Sequence, residues 1–513
     1  MRASILLLAL GSLVALPGSL HAQSARDIDD LVRQTMKSWR IPGLALVVVQ
    51  GDKIVYLNGF GVREAGKPET VTPDTVFPIA SCTKSFTTLA MGMLVDEGKL
   101  RWDDLVRKHV PYFRLTDPLA DAAVTLRDVV CHRTGVAAHD LLWYGSGWGL
   151  EERIRHACKL DLDQPFRASF RYQVVFFDAA GAAVGTASGA SWEDFVQKRI
   201  LEPLEMKSSS CLFPAKAANL ASPHRKDAAG KPSVITRFPM ASAYPAGSVH
   251  ATAKDLANYL RFQLGDGTWK GKRLISRENL AEPHTPQVTL RRTGALKALN
   301  PETLFLHYGM GWIVGAYHGQ PLISHSGGTF GFASEVAFLP EANRGIVILS
   351  NGGAGGAPAL FGIQYHLFSL LFDQPAEVDA FLDQAVPARD EQLAALRAML
   401  RPVDPATVAP YLGRYTNPAL GEVVLRLQDG TLILDSGEIR SELRAVVGED
   451  GQIEGYIFVD PPLNRPDVPV FLQEGAEGGP ELSVTVPDDD PTIPPVTYVF
   501  TAATSSASAT PVP

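Results

Sequence analysis

Strand-like segments at both ends of a long helical region limit the folds that this chain can adopt. Two apolar runs, residues 44–49 and 54–60, flank the turn residues 51–53 and predict a hairpin. Further runs with strand-like alternation lie between residues 310 and 349, and helical periodicity and turn signals fill the region between the two sets. We therefore predict an α+β fold in which the first strands join the last ones in one antiparallel sheet, flanked by helices and carrying an inserted helical domain.

The pattern changes after Pro405, which predicts a second folded unit. Residues 376–400 are rich in helix formers, whereas Val423, Leu425 and Leu427 alternate with polar residues before the hairpin signal Asp429-Gly430. This pattern is typical of a small all-β domain, a barrel or a sandwich. The predicted divisions are a signal peptide at 1–22, an α+β domain at 25–375, a connector at 376–405, a barrel-like β domain at 406–502 and a disordered tail at 503–513.

The N-terminus has the features of a secretory signal peptide. Arg2 precedes an apolar run over residues 5–16, and Ala22 offers a small residue for cleavage. We expect a periplasmic or secreted protein without stable membrane insertion, because the run is too short to span a bilayer. An uncleaved anchor is the alternative. Export permits one disulfide without indicating its pair among the four cysteines, Cys82, Cys131, Cys158 and Cys211.

Charge and motif content exclude several classes of function. The formal net charge is −8, the pI is about 5.9, and no Lys/Arg-rich stripe is present, so no nucleic-acid partner is expected. The twelve histidines are scattered and no H-E-x-x-H occurs, so no metal and no other cofactor is predicted. A G-x-S-x-G elbow of the α/β-hydrolase kind is also absent.

The segment Ser81-Cys82-Thr83-Lys84 is the single S-x-x-K in the chain. It opens a predicted amphipathic helix whose apolar stripe begins at Phe86, and residues three apart on a helix share a face. A serine hydroxyl needs an adjacent base to act as a nucleophile, and a partly desolvated lysine can be that base. The pattern therefore predicts Ser81 as nucleophile and Lys84 as base. The alternative is a serine and a lysine on the surface of an ordinary helix.

Several separated segments, in order, resemble the serine β-lactamase and penicillin-binding-protein-like hydrolases. They are residues 81–84, 124–135, 170–172, 308–312 and 325–328. The resemblance covers roughly residues 28–372 and is greatest to the class C-related branch, which includes family VIII-type esterases, D-aminopeptidases and DD-peptidases. It implies a β-lactamase/transpeptidase-like fold.

The resemblance also implies roles for further residues. Tyr172 matches the tyrosine that moves protons beside Ser81 and Lys84. The segment His325-Ser326-Gly327 matches a strand across the cleft, where His325 would join the catalytic set and Ser326 and Gly327 would contact substrate. The backbone N–H of Gly328 would pair with that of Ser81 as an oxyanion hole. For His325, the alternative is a strand histidine bonded to a neighbouring carbonyl.

Two positions depart from the family pattern, and one loop carries aromatic residues. Val174 stands in the substrate-binding region where much of the family has Asn, and His325 stands in place of a Lys. Both changes predict weak β-lactam hydrolysis. Trp143, Tyr144 and Trp148 cluster in a Gly-rich loop, where they form either an aromatic lip for apolar acyl groups or packing beneath the helical domain.

The sequence as a whole predicts a secreted serine hydrolase that acts through a covalent acyl-enzyme on esters or on small amides and peptides. A β-lactamase or DD-peptidase is the first alternative, and a catalytically weak protein that binds penicillin or peptidoglycan fragments is the second. The expected partner is a small-molecule ester, peptide or β-lactam substrate. The oligomeric state is not predicted.

Overall fold

A computed structural model of the 513-residue chain describes most of its residues. The described residues are 22–137, 148–226, 230–237, 244–292, 297–298, 300, 303–353, 356–372, 378–436, 440–448, 450–459, 468–476, 478–487 and 494–503.

The helices are numbered in chain order. They are α1 Ala22–Trp39, α2 Thr83–Asp96, α3 Val106–His109, α4 Pro118–Ala123, α5 Leu126–Val130, α6 Leu150–Ala157, α7 Val174–Ser188, α8 Trp192–Val196, α9 Ala253–Gln263, α10 Arg277–Ala281, α11 Ala357–Leu371, α12 Val378–Met399 and α13 Pro405–Val408.

The strands are numbered in the same way. They are β1 Gly43–Gln50, β2 Lys53–Gly61, β3 Phe77–Pro78, β4 His224–Lys226, β5 Pro232–Val234, β6 His250–Ala251, β7 Thr268–Trp269, β8 Lys272–Arg273, β9 Val288–Leu290, β10 Leu306–Tyr308, β11 Ile313–Tyr317, β12 Gln320–Thr329, β13 Phe332–Leu339, β14 Arg344–Ser350, β15 Leu400–Arg401, β16 Gly413–Asn417, β17 Gly421–Gln428, β18 Thr431–Asp435, β19 Arg440–Val447, β20 Ile453–Phe458, β21 Pro469–Glu474, β22 Pro480–Val486 and β23 Val496–Ala502.

The first and last strands of the predicted α+β region form one eight-stranded sheet, as expected. Its order is β2-β1-β14-β13-β12-β11-β10-β9. The hairpin β1–β2 pairs antiparallel with the final strand β14, with Leu44 opposite Ser350 and Gln50 opposite Arg344. The helices between β2 and β9 form the insertion. The strands before it and the strands after it meet in the sheet at the β1–β14 pairing.

Both faces of this sheet are covered by helices. Along β1, Ala45, Val47 and Val49 belong to the core on the insertion side, whereas the alternate residues Leu44, Leu46 and Val48 belong to the core shared with α1 and α11. Side chains of a strand alternate between faces, so burial on both faces explains why this strand is apolar throughout.

The helix after Ser81 differs from the sequence prediction in one respect. It was expected to be amphipathic, but the residues of α2 from Thr83 to Leu94 are all buried. Its polar residues are accommodated by hydrogen bonds: Thr83 Oγ1 accepts from the Val249 amide, and Thr87 Oγ1 donates to the Pro245 carbonyl. Gly98 follows with φ of +68°, the left-handed conformation in which glycine commonly ends a helix.

The C-terminal strands form a closed β-barrel. Strands β16 to β23 pair in a continuous antiparallel series, and the additional pairing of β19 with β20 closes the ring, while β15 adds to β19 at its side. The sequence left a barrel and a sandwich open, and the barrel is the one observed. The amide of Ala503, the first residue of the expected disordered tail, donates to the Arg414 carbonyl at 2.8 Å.

Three further predictions concern the signal peptide, disulfide formation and membrane insertion. The predicted signal peptide, apart from its last residue Ala22, lies outside the described residues. All four cysteines are buried and free. Among the described helices, no single one is long and apolar enough to cross a membrane, although the bent pair 174–188 and 192–201 meets that test by length and composition.

Candidate active site

The chain makes a strained turn immediately before Ser81. The amide of Ile79 donates to the Val249 carbonyl at 2.9 Å, which continues the pairing of β3 with β6. Ala80 then adopts φ of +46°, and residues 80–82 form a 3₁₀ turn that leads into α2. A non-glycine residue with positive φ persists only where its surroundings fix it, and such residues concentrate at functional sites. The turn leaves Ser81 partly exposed between a buried strand and a buried helix.

Three predicted residues meet at the Ser81 hydroxyl. Lys84 Nζ donates to Ser81 Oγ at 3.1 Å, and Tyr172 OH donates to the same oxygen at 2.9 Å. Lys84 lies one turn further along the chain, whereas Tyr172 comes from the segment before α7. In its deprotonated form, either group is close enough to accept the serine proton. Their separate roles in catalysis remain predictions.

The Lys84 ammonium is held from several sides. Its side chain is fully buried, and Nζ donates a second bond to the Ala246 carbonyl at 3.1 Å. The same nitrogen lies 4.8 Å from the centre of the Tyr172 ring and 5.3 Å from that of Phe177. These contacts fix the amine against Ser81. Sequence reasoning did not identify Ala246 or Phe177, because neither carries a recognisable signal.

His132 packs against the Tyr172 ring and binds the backbone of the next residue. Its Nδ1 accepts the amide hydrogen of Gln173 at 3.0 Å, and its ring centre lies 4.3 Å from that of Tyr172. Burial and then the Lys84 charge lower the pKa of His132 well below its usual value, so the ring is neutral. His132 belongs to the segment 124–135 that carried the family resemblance, but the sequence gave it no role of its own.

A capping box secures this segment. Thr125 Oγ1 accepts from the Asp128 amide at the start of α5, and the Asp128 carboxylate accepts from the Thr125 amide at 2.9 Å. The buried Asp128 also pairs with Arg133 at 2.6 Å and with Arg167 at 2.7 Å, and these contacts hold its pKa below the usual value despite burial. These contacts therefore stabilise the turn that carries His132.

Strand β12 passes directly against the Ser81 turn at Gly327. A Cβ at this position would lie 2.3 Å from the Ile79 carbonyl oxygen and 3.1 Å from the Ser81 amide nitrogen, so only glycine fits without displacement. Gly328, the next residue, is exposed. The strand segment that carries Gly328 therefore lies next to the Ser81 turn. The function of the two amides as an oxyanion hole remains a prediction.

His325 is enclosed by the protein. Its Nδ1 lies 2.6 Å from the Ser326 carbonyl oxygen, which can only accept, so Nδ1 carries the proton and Nε2 accepts from Tyr308 OH at 2.9 Å. Burial, followed by the Lys84 charge, lowers the pKa of His325 to about 3. The sequence left open a catalytic role or a strand histidine bonded to a neighbouring carbonyl; the contact with Ser326 is of the second kind, and both ring nitrogens are occupied internally. Its predicted catalytic role is not tested by this geometry.

The remaining predicted residues lie at varied distances from this centre. Val174 is the first residue of α7, and its side chain belongs to the buried core. Ser326 faces Glu335 across the β12–β13 pairing. Trp148 stacks on His156 with ring centres 3.7 Å apart, and its place in an aromatic lip stays a prediction. Trp143 and Tyr144 lie outside the described residues. Within the described ranges, no group of three or more His, Cys, Asp or Glu is arranged to hold a metal ion.

Comparisons with known proteins bear on the family. The family model described as Beta-lactamase matches residues 28–368. The chain belongs to the beta-lactamase family. Protein flp of Staphylococcus aureus (strain MW2) is 26% identical over 352 residues, which cover 66% of each chain. Unguisins hydrolase ungD' of Aspergillus campestris (strain IBT 28561) is 24% identical over 427 residues, 78% of this chain and 77% of that protein.

A solved structure shows the same fold. The octameric penicillin-binding protein homologue from Pyrococcus abyssi aligns with a TM-score of 0.60 at 21% identity, covering 93% of this chain and 99% of that one. This beta-lactamase family protein therefore has the β-lactamase/transpeptidase-like fold with a C-terminal barrel. The resemblance predicted from the separated motifs is confirmed, and the family is generally one of serine hydrolases.

Proposed function

We propose that this protein is a serine hydrolase that transfers an acyl group from an ester, or from a small amide or peptide, to water through an acyl-enzyme on Ser81. The observation that carries the proposal is the meeting of Lys84 Nζ and Tyr172 OH at Ser81 Oγ, at 3.1 and 2.9 Å. The named similarity to an unguisins hydrolase supports a hydrolytic reaction.

In the proposed reaction, Ser81 Oγ attacks the substrate carbonyl while Lys84 or Tyr172, in its deprotonated form, accepts the serine proton. The amides of Ser81 and Gly328 stabilise the oxyanion of the tetrahedral intermediate. Tyr172 returns a proton to the leaving oxygen or nitrogen as the bond to the carbonyl breaks. Water then attacks the acyl-enzyme by the same proton path and releases the acid.

Esters are the favoured substrates over β-lactams. His325 has a pKa of about 3 and both nitrogens occupied, so it offers neither charge nor a donor to a substrate carboxylate. Val174 is an apolar side chain 9% exposed, and it provides no amide for an acylamino group. A missing hydrogen bond to a buried partner costs about 1–3 kcal/mol. Esters need neither contact, since backbone amides bind the oxyanion.

The test compares kcat/KM for p-nitrophenyl butyrate and for a chromogenic cephalosporin on one purified sample, with a fluorophosphonate probe for labelling. We expect labelling of the wild type, ester turnover well above cephalosporin turnover, and loss of both labelling and turnover in Ser81→Ala. The loss of kcat should be at least about 10³-fold. The neighbouring Ser85→Ala is the control, since Ser85 Oγ donates to the Cys82 carbonyl and not to the reacting group.

Three outcomes separate the candidates. Preference for the cephalosporin would favour the β-lactamase alternative, absence of labelling would favour a binding protein, and full activity of Ser81→Ala would refute the nucleophile.

Export is a further proposal, based on the N-terminal segment alone. Cell fractionation and N-terminal sequencing test it, with cleavage near Ala22 as the expected result.

A further inference from the structure

A small pocket lies beside the turn that carries Ser81. It is lined by residues of β3, β6 and the β12–β13 hairpin, including Pro78, His250 and Thr329, and by the Arg237 side chain. The pocket encloses about 330 Å³ of space with its open mouth included, and its interior cavity volume is about 20 Å³. An interior of that size accommodates one water-sized polar group, such as a single carboxylate oxygen, and the open mouth leaves room for the chain that carries it.

Arg237 is fixed in this pocket by aromatic rings. Its guanidinium carbon lies 5.1 Å from the centre of the Phe213 ring and 5.6 Å from that of Phe332. One terminal nitrogen donates to the Ala221 carbonyl. A guanidinium has five N–H donors in a planar fork, so several remain for another acceptor. The side chain is therefore oriented before any ligand arrives, and most of its donors are not used by the contacts that orient it.

The positive charge of Arg237 is not balanced within the described part of the chain. No ion pair joins it to a described carboxylate, and the sequence has no Asp or Glu from residue 228 to residue 254. Burial lowers the pKa of the guanidinium, and no described carboxylate raises it again. The other ionisable residue of the lining, His250, has a pKa lowered to about 4 by burial, so it is neutral. A half-buried, unbalanced guanidinium is a strong site for an anion.

The pocket lies within reach of the reacting atoms. Pro78 precedes Ser81 by three residues, a chain length of at most about 10 Å. Thr329 follows Gly327 by two residues on β12, or about 7 Å, and Gly327 contacts the Ser81 turn. Tyr172, which would protonate the leaving group, comes from the segment before α7 and is not among the lining residues. A group held by Arg237 therefore belongs to the acyl part of the substrate.

We propose that the Arg237 pocket binds a carboxylate at the far end of the substrate's acyl chain, so that half-esters of dicarboxylic acids, or acyl groups of similar charge, are preferred substrates. This inference rests on the proposed hydrolase function. Along β12 the pocket is about 13 Å from His325, the position where the family pattern has Lys. The pocket therefore lies at the C-terminal end of β12, whereas His325 lies near the middle of that strand.

The experiment compares two esters of equal acyl length, mono-p-nitrophenyl adipate and p-nitrophenyl hexanoate, on wild type, Arg237→Gln and Arg237→Lys. We expect Arg237→Gln to lower kcat/KM for the adipate by at least about 10-fold, since hydrogen bonds to charged groups are the stronger ones. The hexanoate value should change less than about 2-fold, and Arg237→Lys should retain part of the preference because it keeps the charge. The matched control is Arg199→Gln, an exposed arginine that also lies over a ring, 5.1 Å from Phe195, and pairs with Glu97.

A binding measurement makes the inference independent of turnover. Adipate at matched ionic strength should raise the melting temperature of wild type and of Ser81→Ala, but not that of Arg237→Gln. An unchanged adipate-to-hexanoate ratio in Arg237→Gln, or an equal shift of melting temperature in all three proteins, would overturn the inference while leaving the hydrolase proposal intact. Absence of turnover on both esters, together with absence of fluorophosphonate labelling, would refute the hydrolase proposal, and the melting measurement would then decide the Arg237 site alone. Should Arg237→Gln fail to fold, Arg237→Lys carries the comparison.

Discussion

Two tyrosines pack on the same buried histidine and differ in what their hydroxyls reach. The ring centres of Tyr172 and Tyr308 lie 4.3 and 5.0 Å from that of His132. The Tyr172 hydroxyl donates to Ser81 Oγ, whereas the Tyr308 hydroxyl donates to His325 Nε2. Tyr308 is fully buried, and burial raises its pKa well above the usual value. At the scale of single residues, position relative to Ser81 therefore separates the proposed proton carrier from a structural phenol.

Removing each hydroxyl tests this distinction. We expect Tyr172→Phe to lower kcat for p-nitrophenyl butyrate by about 10²-fold or more, because positioned acid–base groups contribute about that much. Tyr308→Phe should lower it by less than about 10-fold, the effect of a lost buried hydrogen bond on the positions of its neighbours. Steady-state kinetics and melting temperatures of the two variants give the comparison. Equal losses in both would contradict a direct role of the Tyr172 hydroxyl.

At the scale of elements, the site depends on how closely β12 approaches the turn before α2. Ser334 Oγ on β13 donates to the Ile79 carbonyl at 2.8 Å, and Gly327 on β12 leaves room for this contact. Strand β12 and the turn before α2 can therefore lie this close together because Gly327 has no side chain. This approach brings the Ser81 amide next to the strand that carries Gly328.

Gly327→Ala should therefore reduce activity by separating β12 from the Ser81 turn. Its Cβ would meet backbone at 2.3 Å, so the strand has to move, and loss of one oxyanion donor costs about 10²–10³ in kcat. Gly247→Ala is the control, because its Cβ would lie 3.8 Å from the nearest atom of Ala80, an ordinary contact. Kinetics with p-nitrophenyl butyrate measure both. Full activity of Gly327→Ala would refute the proposed pairing of the two amides.

These elements show what the sequence could and could not predict. The continuous apolar run of β1, the alternation of β17 and the start of the helix after Ser81 were predictable because local patterns encode them. The full burial of α2 was not, since Thr83 and Thr87 look like an exposed polar face until their distant hydrogen-bond partners are known. The contact of Lys84 with Ala246 depends likewise on how the insertion folds back.

At the scale of the whole molecule, the barrel and the larger domain share an interface. His156 Nδ1 on α6 lies 2.8 Å from the Ala419 carbonyl in the β16–β17 turn, and a Cβ on Gly421 would lie 3.0 Å from the Trp148 ring. Arg225 donates to the Val459 carbonyl at 3.3 Å. The buried apolar cluster continues from the insertion to barrel residues such as Val423. The barrel thus packs on the side of the larger domain that holds Trp148.

A chain ending at Met399 tests whether the larger domain folds without the barrel. The sheet, both of its helical layers and the Ser81 site lie before this residue, so we expect a cooperative melt and retained ester hydrolysis. The lost polar contacts of His156 and Arg225 with the barrel should lower the melting temperature by about 4 °C or less, given roughly 1 kcal/mol for each and no more than about 2 °C per kcal/mol in a domain larger than 250 residues. Full-length His156→Ala, which removes only one of these polar contacts with the barrel, should melt between the full-length wild type and the shortened chain. Calorimetry measures all three, and loss of a cooperative transition in the shortened chain would show that the domain depends on the barrel to fold.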